Sequence, residues 1–174
     1  MTPQPTGRLV RREDGVYVVL DRVFLASRDD VWGSLTRPYR LAGWMGECTG
    51  ERETRAYRIR KRIPGMAWED LAILECDSPS FFRGVITSDD GEERRHVYWK
   101  LARHDSYTTL TVGQRQEGRT LDPITGVRTE YLLDCLVAAR AKRPLPTWEV
   151  YEAALLPFYE RVVQQGAPLG TPTH

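Results

Sequence analysis

The chain has 174 residues, of which 41% are hydrophobic and 28% are charged, and its formal net charge is +1. These ordinary values predict one globular domain over residues 1–174, and the near-neutral charge argues against nucleic acid as a dedicated partner. No apolar run approaches the roughly 20 residues that a bilayer-spanning helix needs, so we expect no membrane partner.

Residues 16–26 are rich in β-branched and aromatic side chains, which predicts a first strand. Ser27 is followed three residues later by Asp30, and this S-x-x-D spacing is typical of a capping box. A short helix is therefore predicted to begin at Ser27. Pro38 suits the first turn of a helix, so it predicts a second short helix directly afterwards.

Residues 47–116 predict an antiparallel meander, because short turn signals separate runs of strand-forming residues. The predicted strands are 47–49, 56–63, 67–76, 81–88, 94–102 and 107–116, which with the first strand make about seven. Alternation along a strand assigns the two faces of the sheet. It places Tyr57 and Val97 inward and the arginines of the 56–63 strand outward.

Residues 130–161 predict two helices at the end of the chain. An apolar stripe runs from Leu132 to Ala139, two prolines interrupt it within residues 143–146, and Thr147 can cap a further helix. We expect the folded core to span about residues 16–165, with loose ends at 1–12 and 166–174.

The three cysteines, Cys48, Cys76 and Cys135, include no C-x-x-C pair, and the polar first fifteen residues contain no signal-peptide core. We therefore expect a cytoplasmic protein in which all three thiols are small buried hydrophobic groups.

These segments together resemble the SRPBCC superfamily, and within it the AHSA1-like branch, named after the activator of Hsp90 ATPase homologue. The matching residues are 31–32, 35–38, 43–46, 75–79, 132–134 and 145–148. The resemblance implies an α+β helix-grip fold, in which a bent antiparallel sheet of about seven strands wraps a long C-terminal helix. It also implies an internal cavity for a small hydrophobic or aromatic ligand.

The predicted lining of this cavity combines aromatic rings, inward strand positions and helix positions that face the sheet. Thr129 stands where many relatives carry a tryptophan, which should enlarge or polarise one end of the cavity. Tyr98, Tyr131 and Trp148 are further aromatic candidates. The predicted ligand-binding residues are Trp32, Trp44, Tyr57, Ile59, Trp68, Leu74, Phe82, Val97, Trp99, Leu110, Val112, Gln114, Thr129, Leu133 and Leu136.

Catalytic signals are sparse. His96 and His104 have no metal-site spacing, and the chain has no local nucleophile motif, so we expect no metal, no cofactor and no catalytic residues. Glu69 and Asp70 could act as acid and base if they were buried, but a surface pair is expected. The alternating arginines of the basic run 52–62 are expected to form a solvated outer face.

Three function classes follow. The leading one is non-catalytic binding of an apolar or polyaromatic molecule, such as a secondary metabolite, for sequestration, transport or self-resistance, as in some members of the branch. The second is a polyketide cyclase or aromatase, and the third is an Hsp90-type chaperone interaction module. We expect no chaperone activation, because nothing in this chain corresponds to the separate N-terminal domain of the eukaryotic activator. The oligomeric state stays open.

Overall fold

The structure is a computed structural model that describes residues 2–51 and 54–166. Its elements, in chain order, are β1 Arg8–Arg12, β2 Gly15–Phe24, α1 Arg28–Thr36, α2 Pro38–Leu41, β3 Gly46–Glu51, β4 Ala56–Lys61, β5 Glu69–Asp77, β6 Phe81–Ser88, β7 Arg94–Arg103, β8 Thr108–Gln116, α3 Pro123–Arg140 and α4 Trp148–Gly166.

The strands form one antiparallel sheet in the order β1-β2-β8-β7-β6-β5-β4-β3. Helix α3 packs against β2 and α4, and α4 packs against β1, so the two long helices lie on the inner face of the sheet. This arrangement confirms the expected α+β helix-grip fold, with one strand more than the expected seven. Within the described residues, no helix has the length and apolar character that crossing a bilayer requires.

The additional strand is β1, which lies in the segment that we expected to be loose. It forms a hairpin with β2, in which Arg8 pairs with Val19 and Arg12 pairs with Gly15. The turn has two residues, and Gly15 follows it with a φ of +140°, a conformation that favours glycine. Three of the five residues of β1 are arginines, so the apolar alternation of a strand is hard to recognise there.

The helix predictions around Ser27 and Pro38 are confirmed. Ser27 Oγ accepts a hydrogen bond from Asp30 N at 3.3 Å, and Pro38 occupies the first turn of α2. The carboxylate of Asp30 accepts hydrogen bonds from Arg40 at 2.8 Å and from Arg140 at 2.6 Å. Asp30 therefore connects all three of the helices α1, α2 and α3.

Helix α3 begins at Pro123, seven residues before the predicted start. Asp122 caps it, because its Oδ1 accepts a hydrogen bond from Ile124 N at 3.0 Å. Helix α4 begins at Trp148, as predicted. The two helices approach closely at Gly126, where an added Cβ would lie 2.2 Å from the ring of Tyr159.

The hydrophobic core lies between the sheet and the helices. Inward positions of the central strands, such as Val97, Leu110 and Phe82, belong to it, which confirms the predicted faces of those strands. A small second cluster on the outer face contains Tyr17, Val19 and Tyr98.

Candidate functional site

A cleft of about 800 Å³ opens at one end of the sheet. Its walls come from the α2–β3 turn, the end of β4 with the turn that follows it, helix α3 and the α3–α4 connection. We call it the main cleft, and the residues that matter most for its chemistry are Lys61, Arg62, Met66, Tyr131, Leu145 and Trp148. A smaller cleft of about 430 Å³ lies between the ends of β8 and α4.

Two aromatic rings form one wall of the main cleft. The centroids of Tyr131 and Trp148 are 5.4 Å apart, and the ring planes meet at 78°, an edge-to-face arrangement that aromatic pairs favour. The ring of Tyr151 packs edge-to-face against the ring of Tyr131, with their centroids 5.4 Å apart. Burial raises the pKa of Tyr131 to about 12, and its hydroxyl forms a hydrogen bond with the thiol of Cys135.

Three basic residues also line the main cleft. Arg60, Lys61 and Arg62 are consecutive residues at the end of β4, and all three line the cleft. Arg60 forms an ion pair with Glu47, and Arg62 donates a hydrogen bond to the carbonyl oxygen of Ala42 at 2.9 Å. The cleft therefore combines two aromatic rings with three basic residues.

Lys61 differs from its two neighbours because its side chain is only 9% exposed. Its ammonium group donates to Oε2 of Glu69, whose other oxygen, Oε1, accepts from Arg95. The expectation that Glu69 belongs to a surface pair is wrong, since Glu69 is 4% exposed. The alternating arginines Arg58 and Arg60 are exposed, as expected, whereas Lys61 beside them is buried, and Arg52 of the same basic run lies outside the described residues.

Strand alternation explains why Lys61 and Glu69 are both buried. Lys61 shares the inner face of β4 with Tyr57 and Ile59, and Glu69 shares the inner face of β5 with Leu71. Charged residues are rarely buried without a partner, which favours the surface position that we expected for Glu69. Asp70, the next residue of β5, is exposed and forms an ion pair with Arg58, as a surface position should.

Arg128 on α3 completes a group of four residues that we call the buried charge cluster: Lys61, Glu69, Arg95 and Arg128. Burial and repulsion from Arg95 lower the pKa of Lys61 to about 8, although Glu69 acts in the opposite direction. Burial and repulsion from Arg95 also lower the pKa of Arg128. Burial alone would raise the pKa of Glu69, but Lys61 and Arg95 outweigh it and hold that pKa below its usual value.

Most of the predicted ligand-binding residues contribute to core packing. Nine are buried in the main hydrophobic cluster: Trp32, Trp44, Ile59, Phe82, Val97, Leu110, Val112, Leu133 and Leu136. Trp99 packs against that cluster, with its ring 4.8 Å from that of Phe82. Among the described residues, none of the fifteen predicted positions lines the main cleft.

The remaining predicted positions divide between the interior and the outer face. Gln114 donates a hydrogen bond to the hydroxyl of Thr129 at 3.0 Å, so these two residues form a polar contact between the sheet and α3. Tyr57 is half-buried on the inner side of β4.

Two inward assignments are wrong. Trp68 lies on the outer face, where the guanidinium carbons of Arg58 and Arg60 are 5.8 and 5.2 Å from its ring centroid. Leu74 is 50% exposed, because alternation along β5 places it on the outer face with Asp70 and Ala72.

The cysteines follow the expectation only in part. Cys135 is buried and Cys48 is half-buried, but Cys76 is exposed, so the prediction is wrong for Cys76. Burial raises the pKa of Cys135 to about 11. Within the described part of the chain, no three His, Cys, Asp or Glu side chains come together in a group that could hold a metal ion.

Comparison with known proteins shows similarity to solved structures. CalU16 from Micromonospora echinospora aligns with a TM-score of 0.71 and 19% identity, over 92% of this chain and 98% of that one. DynU16, from the dynemicin biosynthetic locus, aligns with a TM-score of 0.61 and 19% identity, over 78% of this chain and 51% of that one.

A third similar structure is the protein encoded by gene BPP1335 from Bordetella parapertussis. It aligns with a TM-score of 0.68 and 14% identity, over 99% of this chain and 96% of that one. No family model matches the chain, and no curated protein matches it either. At these identities the likeness is one of fold, and it supports the helix-grip architecture.

Proposed function

We propose that this protein is a binding module for a small, flat aromatic molecule, and that the main cleft is its binding site. The observation that carries the proposal is the edge-to-face wall of Tyr131 and Trp148 in a cleft of about 800 Å³. Small-molecule sites typically have volumes of about 300–1,000 Å³ and combine apolar or aromatic walls with a few polar groups.

The lining residues supply both kinds of group. Met66 and Leu145 extend the apolar surface beside the two rings, while the hydroxyl of Tyr131 and the charges at the end of β4 can fix the orientation of a ligand. The proposal therefore keeps the kind of ligand that the sequence predicted and moves its site from the packed interior to an open cleft.

We also infer that the chain belongs to the AHSA1-like branch of the SRPBCC superfamily and acts in the cytoplasm. The motif residues at 31–38 and 145–148 support this assignment. In that setting the protein would hold a secondary metabolite for sequestration, transport or self-resistance. The fold shared with DynU16, a protein of a biosynthetic locus, is consistent with such a role.

The test is a calorimetric titration with 2-naphthamide, an uncharged flat aromatic probe, on the unaltered protein and on two matched variants. Ala42 is exposed and lines the main cleft, so Ala42→Trp should fill it and weaken binding about tenfold or more. Ala72 is exposed on the outer side of β5, so Ala72→Trp should leave the affinity unchanged. No saturable binding, or equal effects of the two substitutions, would rule out the main cleft as the site.

A second candidate function is a cyclase-like enzyme, and Lys61 is the observation that favours it. A lysine with a pKa of about 8 on the wall of a cleft can accept and return a proton near neutral pH. Recovery of a bound polyketide-like substrate in chemically altered form, with the change abolished in Lys61→Met, would establish the enzyme. Recovery of the unchanged compound supports the binding module.

A further inference from the structure

The buried charge cluster contains more positive than negative charge. Glu69 is the only carboxylate that hydrogen-bonds to Lys61, Arg95 or Arg128 in the part of the chain that the structure describes. Both of its oxygens are already used, one by Lys61 and the other by Arg95. Lys61, Arg95, Arg128 and Glu69 carry three positive charges and one negative charge when Lys61 is protonated, and Asp122 and Glu93 attract Arg128 without hydrogen-bonding to it.

Two guanidinium groups in the cluster also have a donor without an acceptor. Nε of Arg95 and Nε of Arg128 are both shielded from solvent, and neither has a hydrogen-bond partner among residues 2–51 and 54–166. Arg95 as a whole is 5% exposed. A buried, charged N–H group without a partner is unfavourable, so the group that this cluster lacks is a negatively charged acceptor.

The cluster adjoins the main cleft. Lys61 belongs to both, because it lines the cleft and its ammonium group contacts Glu69. On α3, Arg128 precedes Tyr131 by three residues, so the two lie on the same side of the helix, one turn apart. Arg95 and Arg128 do not line the cleft, so a ligand that contacts the ring of Tyr131 meets the cluster at Lys61.

We propose that the ligand of the main cleft is an aromatic carboxylate, whose ring lies against Tyr131 and Trp148 and whose carboxylate is bound by Arg95 and Arg128. The forked N–H groups of a guanidinium match the two oxygens of a carboxylate, which makes arginine well suited to this contact. Glu69 holds Arg95 and Lys61 in position and is not displaced. This inference rests on the proposed function, because it uses the main cleft as the site of the ring.

The experiment compares three probes by calorimetry at neutral pH: 2-naphthoate, its uncharged analogue 2-naphthamide, and inorganic phosphate. We expect 2-naphthoate to bind at least about tenfold more tightly than 2-naphthamide, and phosphate to bind more weakly than 2-naphthoate. In Arg128→Met this preference should fall to about twofold or less. Arg103→Met removes an exposed arginine from the strand that carries Arg95 and should keep the full preference.

Each result decides something. Equal affinities for the naphthoate and the amide would overturn the carboxylate inference and leave the proposed function standing. A preference that survives in Arg128→Met would also overturn the inference. Tight binding of phosphate, at or above the affinity for 2-naphthoate, would identify a small-anion site in place of one for an aromatic acid. Binding of neither naphthalene compound would overturn both the inference and the proposed function.

Discussion

Lys61 and Glu69 form an ion pair in which both side chains are more than nine-tenths buried, although Lys61 also lines an open cleft. The two residues come from neighbouring antiparallel strands, and Arg95 from β7 contacts the second oxygen of Glu69. Glu69 is thus the counter-ion that allows two cations to be buried at this end of the sheet. Its removal should be far more damaging than the removal of an ordinary surface carboxylate.

The first prediction compares the loss of stability on removing the charge of Glu69 with that on removing a surface charge. Glu69→Gln should lower the free energy of unfolding by about 3–5 kcal/mol, the usual effect of breaking a buried ion pair from one side. Asp70→Asn is the matched control, because Asp70 is the next residue of β5 and its carboxylate is 63% exposed. Its cost should stay below about 1 kcal/mol. Denaturation in urea measures both values, and similar losses for the two variants would contradict the assigned role of Glu69.

The second prediction concerns pH. The pKa of Lys61 is about 8 in the folded protein, below the ordinary lysine value of 10.5, so the unfolded chain binds more protons between those limits. Lys61 should therefore contribute stability that rises with pH from about 8 to 10.5, by an amount on the order of 2 kcal/mol, while Cys135, whose pKa is raised to about 11, contributes in the opposite direction. In Lys61→Met that contribution is absent. The difference in unfolding free energy between the two proteins should grow in favour of the unaltered protein over this range, and a difference that does not change with pH would contradict the assignment.

The sequence predicted much of the fold because the fold depends on patterns that the sequence contains directly. The S-x-x-D spacing at Ser27 and the proline at Pro38 are local signals, and the structure confirms both helix starts. Strand β6 has the predicted bounds for a similar reason, since turn residues flank its apolar run. Alternation also placed Val97 on the correct face.

The candidate site was predicted less well, for two physical reasons. The open volume depends on how the α3–α4 connection meets the turn after β4, and contacts between distant segments leave no local pattern in a sequence. In addition, the residues that matter are buried charges. Alternation places Lys61 on the inner face with Tyr57, but with Leu74 assigned inward it places Glu69 outward. Burial of a charge is also unfavourable unless a partner is present, and Arg95 lies 26 residues beyond Glu69 in the chain.

The third prediction tests how the N-terminal segment is held. Glu130 is completely buried and accepts hydrogen bonds from Gly7 N at 3.1 Å, from the hydroxyl of Tyr159 at 2.6 Å and from Arg22 at 2.6 Å. In Glu130→Gln the amides of β1 should exchange with deuterium about tenfold faster or more, because the charge that anchors the preceding residues is lost.

Glu117→Gln serves as the control for this third prediction. The carboxylate of Glu117 is 44% exposed, and its ion pair with Arg94 is long, at 3.5 Å. In Glu117→Gln, the exchange rates of the β1 amides should not change. Unchanged exchange in Glu130→Gln, measured by mass spectrometry, would show that the β1–β2 hairpin holds the segment without help from Glu130.

The fourth prediction compares two glycines in helices. Gly126→Ala places a methyl group against the ring of Tyr159 and should cost about 1–3 kcal/mol of unfolding free energy, because α3 and α4 must separate. Gly33→Ala in α1 approaches only the side-chain ends of Arg37 and Arg40, at 3.3 Å or more, although Asp30 holds the end of Arg40, so its cost should be smaller than that of Gly126→Ala. Thermal melting distinguishes the two, and a stable Gly126→Ala protein would contradict the close helix contact.

The most direct test of a ligand site that joins the aromatic wall to the buried charges is NMR of the arginine Nε–H groups during titration. On addition of 2-naphthoate, the signals of Arg95 and Arg128 should shift saturably together with the backbone amide of Trp148, whereas 2-naphthamide should shift Trp148 and leave the two Nε–H signals in place. Shifts that spare Trp148 and both arginines, or that appear instead at residues of the outer face such as Tyr98, would contradict the account.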